Sequence, residues 1–487
     1  MLTLKNYING KWVEADCSEY LDVTNPSTGE VFAKVPLSTA KNVEEAVNAA
    51  SKAFEKWSRE SVSKRTSYLF KLHSIMDEHE DELVEAICKE GGKTLVDGKA
   101  EIKRAVQNIE VACGMPMLLQ GEKLQGIANE MDAEVIRQPI GVFAIIPPFN
   151  FPAMVPFWFL PYAIATGNTL VIKPSEQVPV TMQLIMGLID KIGLPQGVIN
   201  IVNGDKTVAE ALTENKAIRG VSFVGSSKVA RIIAETCSKN GKRYQALGSA
   251  KNHLLVMEDA CIDKVIDSLM TSCYGCAGER CMAASVVAVV PEVYDEVREK
   301  FIAAAKKLKT GDALGDGVDV GPVISQRAKE RILGLIQKGI DEGASLILDG
   351  RNPDIPKEIQ KGFYIGPTIF ENVTPDMTIM QEEIFGPVVC LVKINSLDDG
   401  LELVKNCRFG NGASIFTQSG YYARKFEMEV DAGMIGINVG IPAPVAYFPF
   451  GGVKESFYGD VKAQGRDVIN FFTERKVVTA RFYKQDK

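Results

Sequence analysis

Around Cys281 the chain reads Tyr274-Gly-Cys-Ala-Gly-Glu-Arg-Cys281-Met-Ala-Ala. A thiol in a loop of small residues, after an expected helix and directly following an arginine, has the setting of a nucleophile. A nearby cation or helix terminus can lower a thiol pKa enough to populate the thiolate near neutral pH. The chain holds ten cysteines, and a free cysteine is otherwise a small core hydrophobe, so context has to decide. A second chemical group is Asn150, in the turn Pro147-Pro148-Phe149-Asn150-Phe151-Pro152. At a strand end its amide can donate to a developing oxyanion, or it can bond its own turn backbone.

The elements that must position these groups are those of an α/β chain. From Gln138 to Ile172, between Arg137 and Lys173, no residue is charged. Prolines at 139, 147, 148, 152, 156 and 161 forbid a membrane span, because they remove backbone donors that hydrocarbon cannot replace. A buried strand from Ile140 to Ile146, a proline-rich turn, then helix and strand fit instead. Further apolar runs at Thr169–Lys173, Gly197–Val202 and Gly220–Val224 alternate with helix-length segments, the pattern of a parallel sheet with crossover helices. Residues 44 to 119 read as mostly helical, and 122 to 138 and 466 to 480 as extended.

At 487 residues more than one domain is expected. Fifty-five basic and 62 acidic residues, interspersed, give a net charge of -7 and no electrostatic case for nucleic acid. The start Met-Leu-Thr-Leu-Lys-Asn does not read as a signal peptide, and scattered cysteines read as reduced thiols, so a cytoplasmic protein with no membrane association is expected. Three look-alike motifs lead nowhere. Gly91-Gly-Lys93-Thr94 lacks the upstream glycine of a phosphate loop, with Ile87 in its place. Asp312-Ala-Leu314-Gly-Asp316-Gly317 lacks calcium ligands at Leu314 and Val323. Cys273 and Cys276 have no second pair, so one helical turn of core cysteines, and no metal site, is the reading. No Gly-x-Gly-x-x-Gly occurs.

Six motifs in order do carry a resemblance: Pro148-Phe149-Asn150-Phe151-Pro152, Lys173-Pro-Ser-Glu176, Phe223-Val-Gly225-Ser226, Gly278-Glu-Arg-Cys281, Glu382-Glu383-Ile-Phe385-Gly-Pro387 and Pro449-Phe-Gly-Gly-Val-Lys454. With the opening Asn6-Tyr-Ile-Asn-Gly-Lys-Trp12, the whole chain resembles the aldehyde dehydrogenase superfamily. The resemblance implies that family's fold: an NAD-binding domain (1–121 and 139–246), a catalytic domain (247–445) and an oligomerisation arm (122–138 and 466–487), hence a homodimer or homotetramer. It implies Cys281 and Asn150 as catalytic residues. It further implies that Phe149, Lys173, Glu176, Gly225, Ser226, Glu383 and Phe385 hold NAD. Pyrophosphate would lie at the helix start after Ser226, where free N–H groups and the dipole favour an anion. A second glycine common in relatives is Ala230 here. Glu176 on the adenosine ribose favours NAD over NADP.

One departure bears on the reaction. Most aldehyde dehydrogenases read Glu-Leu-Gly-Gly where this chain has Ala246-Leu-Gly-Ser-Ala-Lys-Asn-His253, and that glutamate activates the hydrolytic water. The position falls at Ala246, and no carboxylate occurs between Gly241 and Met257. Water without a base is a poor nucleophile toward a thioester, whereas a thiol needs less help. The segment, with Gly278-Glu-Arg-Cys-Met-Ala, resembles the CoA-acylating branch acting on methylmalonate or malonate semialdehyde. That branch holds the substrate carboxylate with arginines matching Arg104 and Arg280, in keeping with bidentate guanidinium recognition. Composition alone places Arg104 opposite the apolar stripe of its helix, as a solvated residue. The implied reaction is oxidative decarboxylation with NAD and acyl transfer to CoA. A hydrolysing aldehyde dehydrogenase and an inactive scaffold of the same fold stay open as alternatives. A Cys-His hydrolase would need one of His73, His79 or His253 beside Cys281.

Overall fold

The computed structural model describes residues 1–483. Its first large sheet is built on five parallel strands, in the order Arg243–Leu247, Ile218–Val224, Val142–Ile146, Thr169–Ile172, Ile199–Ile201, with short antiparallel strands at both edges. All five residues of Val142–Ile146 are buried, as expected of an uncharged run in a sheet covered by helices on both faces. The strands expected at 140–146, 169–173, 197–202 and 220–224 therefore form, and helices run from Ala40 to Leu118 with short breaks, as expected for 44–119.

A second sheet carries seven strands with Ala284–Val289 at its centre, parallel to Asn252–Val256 on one side and Val388–Lys393 on the other. The helix Ile262–Tyr274 leads toward that central strand. Between them Cys276, Ala277 and Gly278 have φ of 51°, 52° and 71° in succession. Two left-handed non-glycine residues in a row are costly, and the tight return they make sets Cys281 just ahead of the strand. Cys276 thus lies outside the helix that holds Cys273. The expected single helical turn of core cysteines is corrected: both are buried, but only Cys273 is helical.

Glu122–Ala128, Met131–Pro139 and Thr473–Arg481 form a separate antiparallel ribbon whose first strand is exposed throughout. Residues 466 to 472 depart from the extended reading. Asp467–Phe472 is a helix, because Val468, Ile469, Phe471 and Phe472 recur at helical spacing and bury against the first sheet. The Phe472 ring meets Phe143 edge-on at 4.7 Å between centroids. The end of the expected arm, 484–487, lies outside the described residues. Among the described residues no helix is long and apolar enough to cross a membrane.

Candidate active site

A cavity of about 1140 Å³ opens over the carboxyl ends of the parallel strands of the first sheet and reaches the Cys281 loop. Phe149, Asn150, Lys173, Glu176, Gly225, Ser226, Cys281, Glu383 and Phe385, far apart in sequence, all line it. Lys173 Nζ donates to Glu176 Oε2 (3.0 Å) and to the carbonyls of Pro174 (2.9 Å) and Gly204 (2.6 Å), so the lysine is fixed while its glutamate stays partly exposed. Ser226 caps the helix Ser227–Lys239 by accepting from the Val229 N–H. A Cβ at Gly225 would come within 2.5 Å of the Phe223 ring, which accounts for glycine in that turn. Ala230 is fully buried on the helix face turned to the sheet. Phe385, at φ 51°, presents its ring edge-on to Phe149 at 5.7 Å. Such a cleft, with a helix start facing it and an amine-carboxylate pair at one end, suits an elongated diphosphate-containing dinucleotide.

At the inner end of this cavity Cys281 is gripped through its carbonyl, which accepts from Asn252 Nδ2 (2.8 Å) and Asn411 Nδ2 (2.9 Å). Asn150 Nδ2 donates to the Glu279 carbonyl (2.9 Å), which ties the strand-end turn to the nucleophile loop. One amide N–H is used in this bond and the second is available to a ligand oxygen. Burial, and then the Glu383 carboxylate, push the Cys281 thiol up to about 12; Arg280 and Lys93 oppose this by less. Arg280 thus lowers that pKa in the expected direction, but burial and Glu383 outweigh it, which corrects the expectation of a thiolate populated near neutral pH. The guanidinium turns away from Cys281 toward Asp97, with Nη2 2.7 Å from Oδ1, both side chains being nearly buried. Its Nε reaches Cys276 Sγ at 3.3 Å.

Beyond Cys281 a second, smaller cavity of about 260 Å³ begins. One wall is the helix Leu95–Cys113, whose Asp97, Glu101, Arg104 and Asn108 follow one another at helical spacing and all line it. Arg104 is half-buried there, which corrects the reading of a solvated surface arginine: the helix has a second inward face, and that face is polar. Its Nη1 donates to Gln107 Oε1 (3.2 Å). Asn108 accepts from Tyr162 OH at 2.9 Å, and Glu101 accepts from the backbone N–H groups of Ala153 (2.8 Å) and Met154 (3.1 Å) while paired with buried Lys93. Apolar Phe151, Trp158 and Phe450 close the rest. A small cavity with two guanidinium groups can hold a short carboxylate.

Two positions near the absent glutamate are also resolved. Ala246 packs in the cluster with Val142 and Phe223, and Leu247 in the large core cluster on whose edge Cys281 also lies. As neighbours on one strand the two face opposite sides of the sheet, and neither carries a base. His253 is buried in the second sheet, with its pKa pushed down to about 3 by burial, and lines a separate groove from Cys281. Sequence reasoning passed over Asp97, Glu101, Asn252 and Asn411, and read Cys276 only as a core thiol. The i, i+4, i+7, i+11 polar spacing of 97, 101, 104 and 108 was the available signal for the first two; the asparagines had none.

The chain belongs to the aldehyde dehydrogenase family, whose model matches residues 12–478. Among its relatives are a malonate-semialdehyde dehydrogenase of Bacillus cereus, 46% identical over 99% of this chain and 98% of the relative, and malonate-semialdehyde dehydrogenase 1 of Geobacillus kaustophilus, 47% identical over 98% of each. The crystal structure of a methylmalonate-semialdehyde dehydrogenase from Oceanimonas doudoroffii superposes with a TM-score of 0.98 at 42% identity, covering 100% of this chain and 99% of the other. A chain from Sinorhizobium meliloti 1021, assigned as a methylmalonate-semialdehyde dehydrogenase and complexed with NAD, gives 0.98 at 39% identity with the same coverage.

Proposed function

We propose that the protein oxidises a short acidic semialdehyde, malonate or methylmalonate semialdehyde, with NAD and passes the decarboxylated acyl group to CoA. The observation that carries this reading is the seat of Cys281 where two cavities meet, one shaped for a dinucleotide and one small with Arg104 and Arg280 on its walls, with no carboxylate in the 241–257 segment. The names of the relatives point to the same substrates.

Arg104 and Arg280 orient the substrate carboxylate, and the Cys281 thiolate adds to the aldehyde carbon. The free N–H of Asn150 and the Cys281 backbone N–H stabilise the resulting oxyanion. NAD, held by Phe149, Lys173, Glu176, Gly225, Ser226, Glu383 and Phe385, supplies the hydride acceptor when bound. Loss of hydride leaves a thioester on Cys281 whose acyl carbonyl is β to the substrate carboxylate. Carbon dioxide is then lost through an enolate delocalised onto that carbonyl, and protonation gives an acetyl- or propionyl-enzyme. The 241–257 segment carries no carboxylate where hydrolysing relatives hold the glutamate that activates water, so the thiol of CoA is the acceptor.

The residues divide into an NAD-binding part (1–121 and 139–246) and a catalytic part (247–445). The exposed ribbon joins subunits into a homodimer or homotetramer; Leu124 and Val477, 65% and 73% exposed, are apolar surface to be covered. All ten cysteines are free, in keeping with a cytoplasmic setting. The test follows NADH with NAD and methylmalonate or malonate semialdehyde, with and without CoA, against propanal. Sustained turnover that needs CoA and prefers the acidic aldehyde is expected. Equal turnover without CoA returns the protein to the hydrolysing branch.

A further inference from the structure

Glu383 occupies an unexpected place for a residue read only as a ribose contact. Its Oε1 accepts from the Ala250 N–H at 2.9 Å, so the carboxylate reaches the 248–250 loop, which directly follows the strand carrying Ala246 in place of the family's glutamate. It shares the inner cavity with Cys281 and is the strongest charge acting on that thiol. The other carboxylates near the thiol are committed. Glu101 is bonded to two N–H groups and Lys93, Asp97 is paired with Arg280, and Glu279 accepts from the Ile324 N–H.

We propose that Glu383 is the general base for the acceptor thiol, taking the proton from CoA once the nicotinamide end of the cavity has emptied. This inference rests on the CoA-acylating reading above. The Glu383 carboxylate removes the S–H proton, and the thiolate sulfur bonds to the acyl carbon. The bond from that carbon to Cys281 Sγ then breaks, and the Cys281 thiolate recovers the proton from the Glu383 carboxyl. No net proton, oxidant or metal is required. One side chain holding the ribose and later serving as base also orders the cycle, since it is free for CoA only after the dinucleotide has moved.

The groups facing Glu383 are the Ser249 hydroxyl and Ala250 N–H from the 248–250 loop, Lys251 next to it, Arg331 from the helix Gln326–Asp341, and Cys281. Burial, partly offset by these donors and cations, raises the carboxyl to about 7. A raised carboxyl pKa means the basic form is lost below that value and present above it, so the base-assisted step grows through neutrality.

The test avoids NAD. p-Nitrophenyl propionate acylates Cys281 with a burst of nitrophenolate, whose amplitude counts working sites, and CoA then accelerates steady turnover. In Glu383→Gln the ratio of CoA-dependent turnover to burst rate is expected to fall by about 10²-fold. The pH limb near 7 should give way to one set by the thiol itself, near about 8.5. An unchanged ratio and limb in the variant overturns the assignment while leaving CoA transfer standing. Absence of CoA acceleration in the unaltered protein overturns both. Should Glu383→Gln give no burst, Glu383→Ala with added formate carries the same test: recovery of CoA turnover supports the base, and no recovery rejects it.

Discussion

The two cavities that meet at Cys281 are built in different ways. The larger is made of strand ends and helix starts from many segments, so its recognising side chains, Lys173, Glu176 and Glu383 among them, stand where the fold's turns place them. The smaller is made of side chains from one helix, Leu95–Cys113, and from the strained turn before Cys281, held by ion pairs. A general ligand shared by a family is gripped by architecture, and a particular substrate by side chains that can change without altering the architecture.

That contrast can be broken at its common point. Cys281→Ser is expected to lower NADH formation by at least about 10³-fold while NAD binding, followed by fluorescence titration, stays intact. Loss of both would show that the thiol also shapes the larger cavity. Next in size, Arg104→Leu is expected to raise KM for the acidic semialdehyde about 10²-fold, from ~3 kcal/mol of lost charge pairing, and to leave propanal kinetics unaltered. An equal effect on both aldehydes would remove Arg104 from carboxylate recognition.

The raised thiol pKa gives a prediction of similar size. Only thiolate alkylates, and a pKa near 12 keeps its fraction rising about tenfold per pH unit throughout the neutral range. Iodoacetamide modification of Cys281 in the enzyme without ligands should therefore climb ~100-fold between about pH 7 and 9. A plateau near neutrality would mean that Arg280 and Lys93 outweigh burial at the thiol. The smallest effect is on stability. Asp97→Asn leaves Arg280 nearly buried without its partner, and urea unfolding should show a loss of about 2–4 kcal/mol, slightly under the figure for a wholly buried pair. No loss would show that water already solvates the guanidinium.

How much of this was legible follows the same division. The larger cavity could be read from its motifs, because Phe223-Val-Gly225-Ser226 and Lys173-Pro-Ser-Glu176 mark turns after strands whose geometry is local. The side-chain cavity could not. Arg104 was placed by the apolar stripe of its helix, and a helix wedged between a core and a cavity has two buried faces, one of them polar. Arg280 was read as the neighbour of Cys281 in sequence, whereas its long side chain spans to Asp97, 183 residues away. The helix Asp467–Phe472 was lost because a short apolar run before a true strand carries no period long enough to tell the two apart.

The polar face of the Leu95–Cys113 helix has a consequence for how such a protein changes over generations. Arg104 and Asn108 belong to one rigid rod whose Asp97 also ties down the turn before Cys281, while the Cys281 carbonyl itself is pinned by Asn252 and Asn411 from other strands and loops. Diet and chemistry are thus inherited on separate parts. A lineage can exchange acids for neutral or bulkier aldehydes by rewriting Arg104 and Asn108 while keeping Asp97, without passing through an ancestor whose nucleophile has slipped.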